Sequence, residues 1–69
     1  MTKFEAYLMN TALLEDTLER ICNTFPCFID REYVEMNFSK VTITCRTEDA
    51  DCIGLELTRL RYTQLKIRG

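Results

Sequence analysis

The stretch TKFEAYLMNTALLEDTLERICNTF, residues 2–25, decides what kind of domain this chain can make. Phe4, Tyr7, Leu8, Leu14, Leu18, Ile21, Cys22 and Phe25 recur at three- and four-residue steps, with Thr11 inside the stripe. At about 100° per residue these positions line one side of a helix. Thr2 followed three residues later by Glu5 has the spacing of a capping box, in which each side chain satisfies the other's backbone N–H. Pro26 ends the pattern, because the residue before a proline avoids helical angles. The periodicity therefore predicts one long helix over residues 3–24.

Such a helix would be about 33 Å long. A compact domain of 69 residues has a radius of gyration of about 11 Å and so a diameter of about 28 Å. The helix must then overhang, bend or break. Asn10-Thr11 is the natural break, since both side chains compete for backbone hydrogen bonds. Met9 and Leu13 fall one turn apart on the face opposite the stripe. A second apolar patch on an overhanging helix suggests a protein partner, with Met9, Leu13, Glu15 and Asp16 as the expected contact residues.

Working outward, residues 32–46 alternate as a β-hairpin: Val34, Met36 and Phe38, then Val41, Ile43 and Cys45. A loop at Ser39-Lys40, or a turn over Asn37 to Lys40, sets Phe38 opposite Val41, Met36 opposite Ile43 and Val34 opposite Cys45. One apolar face results, which docks on the helix stripe. Beyond it, Thr47 can cap a helix with Glu48, Asp49 and Asp51 in its first turn and Arg59 and Arg61 at its far end, an order that suits the helix dipole. Ala50, Ile53, Leu57 and Leu60 share a face of that helix, placed at 48–60, although Gly54 costs about 1 kcal/mol inside it. Residues 62–68 then alternate as a strand. The expected fold is α+β, a single domain over residues 1–69 in the order α-β-β-α-β. An all-strand reading of 52–68, giving a helix followed by four antiparallel strands, is the alternative. The order resembles a ferredoxin-like unit lacking its first strand, a likeness that implies no function.

A chain this short buries only about 60% of its unfolded surface. A core of that size seldom supplies more than about 3–5 kcal/mol without a disulfide, a metal or a partner subunit. The 46% apolar fraction is that of a folded domain. No apolar run approaches the length of a membrane span and no secretory pattern opens the sequence, so cytoplasmic surroundings and reduced thiols are expected. The net charge of −2 is unevenly spread. Residues 1–38 sum to −4 and residues 39–69 to +2, with no acid after Glu56. An acidic front and a basic tail permit self-association, and equally the binding of an anion.

Histidine is absent, so the usual catalytic triad and imidazole ligands are missing. No glycine-rich phosphate loop is present. The carboxylate clusters Glu15/Asp16/Glu19, Asp30/Glu32 and Asp49/Asp51 lack a deep pocket to raise a pKa for acid catalysis. No enzyme, cofactor or small-molecule substrate is expected. Cys22, Cys27, Cys45 and Cys52 could form a four-cysteine zinc site. Neither the four residues between Cys22 and Cys27 nor the six between Cys45 and Cys52 match knuckle spacing, however. Buried thiols are the plainer reading. Arg59, Arg61, Lys66 and Arg68 around Tyr62 form a basic segment that could contact nucleic acid, against the repulsion of an acidic chain. The expected function is a small protein-interaction module, a regulator or inhibitor of the kind phages and other viruses encode as accessory proteins. Its partner would be another protein, itself as a homodimer, or both.

Overall fold

The computed structural model describes the backbone of residues 1–60 and 62–68 and the side chains of residues 1–60. The elements run β1 (Thr2–Met9), α1 (Ala12–Thr24), β2 (Cys27–Glu35), β3 (Phe38–Cys45), a 3-10 turn (Thr47–Asp49), α2 (Ala50–Leu57) and β4 (Tyr62–Arg68). Four antiparallel strands lie in the order β2-β3-β1-β4. The α+β class stands, and from α1 onward the order is the expected α-β-β-α-β. A strand precedes it, which completes the β-α-β-β-α-β order of the ferredoxin-like fold.

The single helix over 3–24 is therefore corrected at its N-terminal end. Thr2, Phe4, Ala6 and Leu8 are buried while Lys3, Glu5, Tyr7 and Met9 face the other way, a period of two. Phe4, Tyr7 and Leu8 also satisfy a helical spacing, so the short apolar run reads both ways. Tertiary context decides between them. A hairpin alone is marginal in water, whereas a strand between β3 and β4 completes a sheet. The chain breaks at Asn10-Thr11, and α1 starts there: Thr11 Oγ1 accepts from the Leu14 N–H at 3.2 Å. With 13 residues α1 no longer overhangs a molecule whose radius of gyration is 10.9 Å.

Leu14, Thr17, Leu18 and Ile21 form the buried stripe of α1, while Cys22, placed on that stripe by the sequence, is exposed. The helix stops before Pro26, with the Phe25 N–H donating to the Ile21 carbonyl at 2.9 Å. The hairpin is also longer and differently registered than expected. It turns at Met36-Asn37, Glu35 faces Phe38, and Ile29 faces Ile43. Val34 and Met36 thereby leave the core, and a register shift falls between Tyr33 and Glu35. Among the described residues no φ is positive, so the primed two-residue turns are not used; the irregularity in β2 absorbs the mismatch.

Thr47, expected as a cap, instead accepts from Thr2 Oγ1 at 3.2 Å, and Asp49 precedes α2. Both helices cover one face of the sheet. Phe4, Ala6, Leu8, Leu14, Leu18, Ile21, Val41, Ile43, Cys45, Ile53, Leu57 and Leu60 form the core between the two layers. No described helix is long and apolar enough to cross a membrane.

Candidate protein-interaction surface

Among the described residues, no element lies over the other face of the sheet. Because cross-strand partners share a face, its rows can be read from the register. Phe28, Thr44 and Lys3 make one row; Asp30, Thr42 and Glu5 the next; Glu32, Lys40 and Tyr7 the third; Phe38 and Met9 lie at the hairpin end. In β4, Arg68, Lys66 and Gln64 occupy the register positions opposite Lys3, Glu5 and Tyr7. Each row thus runs from the acidic edge strand β2 to the basic strand β4 at the opposite edge. The charge asymmetry noted along the chain becomes an asymmetry across the sheet.

At the hairpin end the face is apolar. Tyr7, Val34, Glu35 and Phe38 line a concavity of about 480 Å³. Met36 beside it is 93% exposed and Val34 is exposed too, while Phe28 is exposed on the same face at the other end of β2. Large apolar side chains gathered on one uncovered face, rather than scattered singly, mark contact surfaces.

Arg31 sets the attitude of this hairpin. It stands on the helix side of β2 opposite Val41, with its side chain only 17% exposed. Its Nε donates to Ser39 Oγ at 3.2 Å, one terminal nitrogen donates to Asn10 Oδ1 at 2.9 Å, and the other bonds Glu15. Ser39 Oγ donates in turn to Asn10 Oδ1. The guanidinium also lies 4.8 Å from the Tyr33 ring centroid. The Asn10 N–H completes the tie, donating to the Asn37 carbonyl in the hairpin turn at 2.7 Å. A fork of fixed donors thus joins the β1–α1 junction, α1 and both hairpin strands.

The sequence-predicted contact residues are dispersed and partly regrouped. Met9 and Leu13 are not a turn apart on one helix. They nevertheless meet: Met9 ends β1, Leu13 opens α1, and both line a concavity of about 210 Å³ with Thr11, Arg59 and Leu60. Glu15 is occupied by Arg31, and Asp16 is exposed on α1. Of the basic set, Arg59 lies 3.8 Å from Glu56. Arg61 and the side chains of Lys66 and Arg68 lie outside the described residues. Tyr7, Phe38 and Arg31 were missed because their roles depend on the strand register. Reading β2 from Cys27 would have put Arg31 in alternation with Cys27 and Ile29, on the covered side.

The cysteines are dispersed too, all with free thiols: Cys22 and Cys52 exposed, Cys27 half-buried, Cys45 fully buried and opposite Cys27 in the ladder. Burial raises the Cys27 thiol pKa, with smaller contributions from Cys22, Cys45 and Asp49. Burial and then Asp49 raise that of Cys45. Thiols held protonated in this way are poor nucleophiles. Among the described residues no group of three or more Cys, Asp or Glu is placed to hold a metal ion.

No protein-family model matches the chain, and no curated protein matches it by sequence. Among solved structures it is similar to the de novo designed protein Ferredog-Diesel, with a TM-score of 0.74 at 17% identity over 99% of this chain and 83% of that one. It is also similar to LarC2, the C-terminal domain of a cyclometallase involved in the synthesis of the NPN cofactor of lactate racemase. There the TM-score is 0.70 at 12% identity, covering 97% of this chain and 51% of that one. The chain thus spans about half the length of the LarC2 chain. At these identities the likeness is one of fold: the four-stranded, two-helix architecture recurs in a designed protein and in a domain of a cofactor-synthesis enzyme.

Proposed function

We propose that the chain is a small non-catalytic protein-interaction module, which regulates or inhibits a partner by binding it through the uncovered face of the sheet. The observation that supports this reading is the apolar hairpin end of that face, where Tyr7, Val34 and Phe38 line a concavity beside an almost fully exposed Met36. Side chains of this size exposed together carry a cost in water that a partner's surface removes. The Arg31 network holds the hairpin in place before binding, which reduces the entropy lost on association.

Affinity capture from lysate of the source organism tests the reading when three baits are compared. Phe38→Glu is expected to lose the proteins that the wild-type bait retains. Leu55→Glu, on the exposed side of α2, is expected to keep them. Equal retention by wild type and Phe38→Glu would contradict the reading, as would loss with Leu55→Glu alone.

A further inference from the structure

The rows of the open face carry enough pattern to specify one occupant. We propose that this face packs against the same face of a second copy, about a two-fold axis parallel to the strands. The proposal rests on the reading of the open face as a binding surface and names its partner.

The choice of axis follows from the strand order and the charges. In the order β2-β3-β1-β4, a two-fold axis parallel to the strands lays β2 of one copy across β4 of the other, and β3 across β1, with rows kept in step. Asp30 then faces the Lys66 position of the second copy, and Phe28 faces its Arg68 position. In the middle of the face Lys40 crosses the partner copy's Tyr7, and at the hairpin end Phe38 crosses its Met9. By residue type, these register positions set acid against base, cation against aromatic ring and sulfur against aromatic ring. An in-plane two-fold axis perpendicular to the strands does the reverse: it lays β2 across β2, with Asp30 and Glu32 against their own kind. Like charges brought together in this way oppose the wrong arrangement while opposite charges favour the right one.

The size of the face is consistent with a weak but specific dimer. Four strands about 4.8 Å apart, each about 8 residues long at about 3.3 Å per residue, project roughly 500 Å² per copy. Two copies therefore bury about 1,000 Å² or somewhat more, at the lower bound of specific interfaces. Sheets packed face to face tolerate about 30° between strand directions, which the twist of each sheet supplies. The chemistry of the contact is isologous, so the assembly closes at two copies.

Sedimentation equilibrium on the purified full chain tests this with charge reversals. Wild type is expected to approach twice its 8.1 kDa at about 1 mM, well above the roughly micromolar Kd such an interface sustains. Asp30→Lys and Lys66→Glu are each expected to weaken self-association about tenfold, because both symmetry-related contacts become repulsive. Mixed one to one, the two variants are expected to associate with each other at wild-type strength, since both contacts in the mixed pair are again of opposite sign. Asp30 is exposed in the single chain, and the mixing arm compares the same two folded variants alone and together. A monomeric wild type at about 1 mM would overturn the proposal. So would a mixture no tighter than its components, or a dimer that survives Phe38→Glu. A monomeric wild type whose captured proteins are still lost with Phe38→Glu would remove the homodimer and leave the interaction module standing. A monomeric wild type whose captured proteins are retained equally by Phe38→Glu would remove the module as well.

Discussion

Arg31 shows how one side chain can decide the presentation of a surface it does not belong to. It donates to Ser39 and Asn10, bonds Glu15 and stacks near Tyr33. Arg31→Met keeps much of the aliphatic stem and removes all the donors. Ser39 and Asn10 retain each other, and the exposed Glu15 returns to water, so the expected loss is moderate, about 2 kcal/mol. Arg31→Lys should recover only part of it, because an ammonium lacks the planar fork. Urea denaturation of the three proteins checks both statements; a loss below about 0.5 kcal/mol for Arg31→Met would show that the network is ornamental. The thiols give a second residue-scale prediction. Cys27 and Cys45 have folded pKa values raised above their unfolded ones, chiefly by burial. Their contribution to stability is therefore full below the unfolded thiol pKa and is lost as pH rises through the folded values. Under reducing conditions stability should begin to fall above about pH 8.5, and replacing both cysteines by alanine should flatten that fall. In the folded protein at lower pH, Cys22 and Cys52 should react with a thiol reagent first and Cys45 only on unfolding, a difference that timed mass spectrometry reads directly.

At the scale of elements, the two ends of α1 tell different stories about what sequence encodes. Its C-terminus was legible from Pro26, and its buried face from the spacing of Leu14, Leu18 and Ile21, since those signals act locally. Its N-terminus was obscured by Thr2 and Glu5, which mimic a capping box but lie on opposite faces of β1. Phe4, Tyr7 and Leu8 fit either period, and only pairing with β3 and β4 resolves them. Thr11→Ala should therefore cost about 1 kcal/mol in a thermal or urea melt, as expected for a lost N-cap; no measurable loss would place the start of α1 elsewhere. The hairpin was legible as a hairpin but not in its register, because β2 is an edge strand whose Asp30 and Glu32 alternate with half-buried residues and so mask the covered face. α2 and β4 were legible despite Gly54. That glycine leaves room to spare: a Cβ added there would meet Phe4 Cε1 at 3.7 Å, an ordinary contact. Gly54→Ala should stabilise the protein by about 0.5–1 kcal/mol through helix propensity, and a destabilised variant would mean that α2 sits closer to β1 than described.

For the whole molecule, the same asymmetry appears first as a charge imbalance along the chain and then as a gradient across the sheet. That translation was not accessible to the sequence alone, because it depends on β2 and β4 taking opposite edges while β1 and β3 occupy the centre. Met9 and Leu13 do not share a helix face and still line one concavity, since the break at Asn10 folds the two segments together. The stronger candidate is the uncovered face, which only the register reveals. The most direct test of that assignment is a concentration series of backbone amide NMR spectra on the wild-type chain. Shift changes should be confined to the sheet, strongest at Tyr7, Phe38, Lys40 and Asp30, with the amides of α1 and α2 unmoved. Changes concentrated on the helices, or none up to about 1 mM, would contradict the claim that this face binds a second copy.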